Sequence, residues 1–99
     1  MIDLNQISGF DWDEGNARKN EKHGVTTAQA EQVFFNEPLL FLEDVIHSGE
    51  ELRLHALGVI DEQRALHITL TLRQSGALIR VISARDMSRK ERAIYDQSR

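Results

Sequence analysis

The sequence has no cysteine, which excludes a thiol nucleophile, a thiolate zinc site and a disulfide framework. It has a single proline, Pro38, and no low-complexity tract, repeat or long linker, so nothing divides residues 1–99 into more than one domain. No apolar run approaches the roughly 18 residues of a membrane span, and Ile2 to Gly9 lacks the basic start of a signal peptide. P-loop, GxGxxG and GxSxG motifs are missing, so nucleotide-binding folds and serine hydrolases find no support. What is present, 99 residues of which 40% are hydrophobic, suffices for one core without a metal or disulfide staple. The expectation is a soluble, cytoplasmic protein with no cofactor and no membrane partner.

Positive charge is also in short supply: 12 Lys and Arg stand against 16 Asp and Glu, a formal net charge of −4. The total argues against a nucleic-acid partner, but the distribution does not. Residues 1–72 hold thirteen acidic and five basic side chains, a balance of −8, and residues 73–99 hold three acidic and seven basic, a balance of +4. The chain is dipolar.

Ile7, Phe10 and Trp12 suggest a brief first strand. Asp13 is placed to cap a helix that runs to about His23 and ends at Gly24. That helix has almost no apolar residue besides Ala17, so its Arg18, Lys19 and Lys22 are expected to face a partner or solvent. A second helix opens with the capping box Thr26–Gln29, carries Ala30, Val33 and Phe34, and closes at Asn36-Glu37-Pro38. The period then changes to that of strands: Leu39 to Leu42, Leu52 to Ile60, Leu66 to Arg73 and, after the turn Gln74-Ser75-Gly76, Leu78 to Ser83. A last helix begins with the capping box Ser88–Glu91. The order β-α-α-β-β-β-β-α predicts an α+β domain, an antiparallel sheet with its helices packed on one face and the other partly open. Leu66, Ile68, Leu70 and Leu72 alternate with His67, Thr69, Thr71 and Arg73, and Arg53 and His55 are the polar set on the preceding strand. An open face lined with His, Arg and Thr suits an anion.

Arg53, Arg73, Arg80 and Arg85 come from three strands or their ends and can converge on one patch, where guanidinium groups bind phosphate bidentately. The plainer reading is four surface arginines whose stems cover the sheet. His23, His47, His55 and His67 show no HxH or HExxH spacing, which disfavours a metal site, yet each can serve as a proton carrier near neutral pH. His23 stands in the last turn of the basic helix beside Lys22; it is a candidate base, or a side chain bonding the last helix carbonyls. Asp11, Asp13 and Glu14, and the pair Glu50-Glu51, resemble no calcium loop; Asp13 reads as a helix cap and Glu50-Glu51 as a turn. Trp12 and Tyr95, the only residues of their kinds, can stack on a base or fill the core.

Phe10-Asp11-Trp12-Asp13, Lys22-His23-Gly24-Val25, His47-Ser48 with Glu51 and Arg53, Leu57-Gly58, Ile82-Ser83-Ala84-Arg85, and Glu91-Arg92 with Tyr95 occur in an order and spacing that resemble the BrnT family of small bacterial toxins. The resemblance spans residues 10–95. It implies a fold like that of the RelE-like ribonucleases and a metal-independent endoribonuclease that cleaves RNA and inhibits translation and growth. It implies as partner a ribbon-helix-helix antitoxin, BrnA-like, through which alone operator DNA is contacted. Carried over by position, it marks Trp12, Lys22, His23, Arg53 and Arg85, and less strongly Arg80 and Tyr95. Leu52 departs from the pattern, since many members carry a charged residue there. On this view His23 or Lys22 moves the proton, Arg53, Arg80 and Arg85 hold the phosphate, and Trp12, Lys19, Arg73 and Tyr95 contact flanking RNA. The alternatives are a non-catalytic RNA- or protein-binding module of the same fold and a small metal-dependent hydrolase.

Overall fold

The computed structural model describes residues 4–46, 48–49 and 51–98; His47 and Glu50 lie outside them. Strands β1 (Gly9–Phe10), β2 (Leu40–Glu43), β3 (Arg53–Val59), β4 (Ala65–Arg73) and β5 (Leu78–Asp86) form one sheet in the order β1-β5-β4-β3-β2. Helices are α1 (Glu14–Lys22), α2 (Thr27–Gln32) and α3 (Arg89–Gln97), with 3-10 turns at Leu4–Gln6 and Val33–Phe35. The fold is α+β. The sheet is mixed rather than antiparallel, because β1 runs parallel to β5 while the other three pairings are antiparallel.

Leu66, Ile68 and Leu70 of β4 join Leu54, Ala56, Ile79, Val81 and Ala84 under Val25, Ala30, Val33 and Phe34 to form the core. Gly58 is what allows this approach. A Cβ there would lie 2.7 Å from Val33 Cγ1, so only glycine lets the 3-10 turn sit against β3. The helices do not share one face, as the sequence had suggested. Glu91 of α3 reaches His67 and Arg85, which point away from Leu66 and Ile68, so α3 lies on the opposite side of the sheet from α2. There it packs against β3, and Tyr95 is itself only 2% exposed. The face read as open is therefore half-filled, and His67, Thr69 and Thr71 are all buried.

The polar helix α1 has an unexpected seat. Among the described residues, β1 pairs only with Leu78 and Ile79, and no strand matches the rest of that β5 edge. Asn20 Oδ1 accepts from the Ala84 backbone N–H at 2.9 Å, and the Asn16 side-chain amide donates to the Val81 carbonyl at 3.4 Å. Two asparagines one turn apart thus serve the strand edge where another strand would have done so, which is why this helix needs so little apolar surface. It ends as its sequence predicts. Gly24, at φ 72°, donates to the Glu21 carbonyl while Val25 donates to Asn20, a Schellman arrangement. Arg64 fastens this end by bonding both the Gly24 carbonyl and the Asp86 carboxylate.

β5 contains a bulge. Thr69 pairs with Ser83 but Leu70 pairs with Val81, so Ile82 is an extra residue. Strict alternation would send Arg80 and Arg85, five positions apart, to opposite faces. The inserted residue brings both to the face that carries His55 and His67.

Candidate active site

On that face the cross-strand rows can be read directly from the register. Leu42, His55, Thr69 and Ser83 form one row, and Leu40, Leu57, His67 and Arg85 the next. Arg53, Thr71 and Arg80 form the row on the other side. Ser88, Lys90, Glu91 and Ile94 at the start of α3 wall the first two rows into a groove of about 520 Å³.

Two hydrogen-bonded units occupy the groove. In the first, Asp44 Oδ2 lies 2.9 Å from His55 Nε2, and His55 Nδ1 lies 3.0 Å from Thr69 Oγ1. An ionised carboxylate can only accept, so Nε2 carries a proton, and in the neutral imidazole this tautomer leaves Nδ1 to accept from the threonine hydroxyl. This is an oriented base with a hydroxyl attached. In the second, both oxygens of Glu91 receive the Arg85 guanidinium, at 2.8 and 2.9 Å, and Glu91 Oε2 stands 3.6 Å from His67 Nε2. The Arg85 hydrogen bonds hold the Glu91 pKa down at about 2, against the opposing effect of burial. Burial, reinforced by the positive Arg85, lowers the pKa of His67 and so favours its neutral form. The two units touch, with the His55 and His67 rings 4.8 Å apart. The Arg85 side chain remains 41% exposed and can receive an anion at the groove mouth.

The residues expected from sequence divide into three sets. Arg53, Arg80 and Arg85 share the groove face, but Arg80 is held by Asp11 at 3.4 Å and Asp13 at 2.9 Å. Asp13 itself has a lowered pKa, chiefly because it caps the Asn16 and Gly15 N–H groups of α1. Arg73 extends from the end of β4 to Glu51, 2.7 Å away. Lys19 and Lys22 on α1 and His23 at its C-cap are exposed beside the β5 edge, and their side chains make no ion pair or hydrogen bond among the described residues. The structure does not bring them to the groove. Trp12 packs on the core and donates its indole N–H to Glu31 at 2.7 Å, and buried Tyr95 donates its hydroxyl to the Pro38 carbonyl at 2.6 Å. Tyr95 has no ring face for a base, because α3 uses it as an anchor.

His55, His67, Thr69 and Glu91 take the central places, with Asp44 behind them. Alternation had placed His55, His67 and Thr69 on the polar face. Asp44 and Glu91 gave no such signal, since one lies in a loop and the other reads as half of a capping box. No three His, Asp or Glu side chains are grouped to hold a metal ion among the described residues. No curated protein sequence matches the chain. A family model described as the ribonuclease toxin, BrnT, of type II toxin-antitoxin systems matches residues 12–91, which include every groove residue except Ile94. With that match covering most of its length, the chain belongs to the BrnT family of ribonuclease toxins of type II toxin-antitoxin systems.

Proposed function

We propose that the chain is a metal-independent endoribonuclease of RelE-like fold, formed by the whole of residues 1–99, whose action on cytoplasmic RNA arrests translation and growth. Family membership implies an RNA substrate and an antitoxin partner; the antitoxin is proposed to be a ribbon-helix-helix protein that alone contacts operator DNA. The observation that carries the chemistry is the Asp44–His55–Thr69 chain opening on a groove that also holds Arg85 and Lys90.

The reaction needs a base for the ribose 2′-hydroxyl, positive charge for the phosphorane-like transition state and an acid for the departing 5′-oxygen. The 2′-hydroxyl passes its proton to Thr69 Oγ1 as the threonine proton moves to His55 Nδ1. The 2′-oxygen attacks phosphorus. Asp44 steadies the resulting imidazolium, and Arg85 and Lys90 meet the phosphate oxygens. The P–O5′ bond breaks, and the proton returns along the same chain to the 5′-oxygen. The products are a 2′,3′-cyclic phosphate and a 5′-hydroxyl. Arg53 and Arg73 lie on the same face for flanking phosphates, while Lys19 and Lys22 offer charge, and His23 an imidazole, from the side of the sheet.

The test incubates the purified protein with RNA in EDTA and analyses the ends. Cyclic phosphate ends, lost in His55→Ala and retained in His23→Ala and Lys22→Ala, are the expected result. Activity that survives His55→Ala and disappears with His23→Ala would move the chemistry to α1. RNA binding without cleavage would identify a non-catalytic module, and loss of activity in EDTA a metal-dependent hydrolase.

A further inference from the structure

β2 is an edge strand, and its two faces open onto different hollows. Phe41, directed to the side of Ala56, lines an apolar hollow of about 680 Å³ with Leu4, Phe34, Phe35, Pro38 and Leu39. Leu42, directed to the side of His55, forms one lip of the groove. Among the described residues, no strand pairs with the outer edge of β2. Phe35, at the rim of the apolar hollow, is 78% exposed although its ring meets Phe10. The surrounding chain is acidic: residues 37–51 contain Glu37, Glu43, Asp44, Glu50 and Glu51 and no Lys or Arg.

We propose that the outer edge of β2 is a docking site for an extended, basic segment of the antitoxin with an apolar side chain at every second position. An added strand presents alternate side chains to the two faces of a sheet. One set enters the hollow beneath Phe35 and Phe41, and the other passes over Leu42 at the mouth of the groove. Lys or Arg in the segment meets Glu37 and Glu43. Charge selects this occupant over a second copy of the chain, because two β2 edges would bring the same carboxylates together. Docking thereby covers the groove against RNA. That last consequence rests on the ribonuclease reading above, and the docking itself does not.

Hydrogen exchange of the toxin, alone and with its cognate antitoxin, tests the assignment. Exchange across residues 39–46 is expected to slow in the complex. The double reversal Glu37→Lys/Glu43→Lys is expected to weaken the complex by about tenfold or more, and Phe35→Asp to do likewise. Both variants should keep the melting temperature and the RNA cleavage of the free toxin. Unchanged exchange at residues 39–46, or unaltered affinity in both variants, would overturn the proposal. Slowing that appears in the toxin alone as its concentration rises would assign the edge to a second copy instead. Should the free toxin fail to cleave RNA, the ribonuclease reading falls and the exchange result still decides the docking site. Slowed exchange in a complex that still cleaves RNA would overturn the covering of the groove alone.

Discussion

Glu91 combines three tasks: it holds Arg85 in a fork, accepts the Ser88 backbone N–H at 2.8 Å and faces His67. Its pKa is lowered from 4.5 to about 2, so the folded state favours the ionised form more than the unfolded chain does. The resulting stabilisation is complete above pH 4.5 and is lost as the pH falls from there towards 2. Screening at half-exposed Arg85 reduces it to about 2 kcal/mol. Glu91→Gln keeps the capping box, which glutamine can also close. Thermal melts from pH 7 to pH 3 should therefore show a smaller acid loss in Glu91→Gln than in the parent protein. At the proposed base, Thr69→Val should lower the cleavage rate by roughly 10²-fold or more with little change in RNA binding, read as kcat against KM, because only proton transfer is interrupted.

The elements carry constraints of their own. Replacing Asn20 with Ala leaves the buried Ala84 N–H without its partner, and an orphaned donor of this kind costs about 1–3 kcal/mol. The denaturation midpoint should fall accordingly, while Lys19→Ala, exposed on the same helix, should leave it unchanged. Gly58→Ala forces a Cβ onto Val33 and should cost roughly 1–3 kcal/mol. Val33→Ala in the same chain should recover part of that loss, and a double-mutant cycle measures the coupling. These two sites show how unevenly the elements could be read in advance. The caps of α2 and α3 follow from Thr26–Gln29 and Ser88–Glu91, because a capping box is a local hydrogen-bond exchange. The seat of α1 does not, because its asparagines answer a gap in β5 that exists only once β1 has stopped short.

At the scale of the whole molecule, the arginines gather on one surface, where Arg73 pairs with Glu51, Arg80 with Asp11 and Asp13, and Arg85 with Glu91. Arg53, Arg73, Arg80 and Arg85 lie on the groove face, whereas Glu37 and Glu43 flank the β2 edge. RNA cleavage at low substrate should weaken steeply as salt is raised, since each neutralised phosphate releases counterions on binding. Kinetics from 50 to 200 mM salt check this, and a flat profile would place the RNA away from the arginine rows. No helix of the described residues is long and apolar enough to cross a membrane.

The sequence by itself determined the helices, the strands and their polar and apolar alternation, because these depend on interactions within a few residues. It also carried the family motifs and the sign of the charge at each end. Which charges meet was decided by tertiary structure. Alternation alone separates Arg80 from Arg85, and the Ile82 bulge reunites them on one face. Packing of α3 then closes half of that face, buries Tyr95 and joins Glu91 to Arg85 and His67. The loop after β2 brings Asp44 to His55. Each depends on partners far apart in the chain, where short-range periodicity carries no information about register, edge or face.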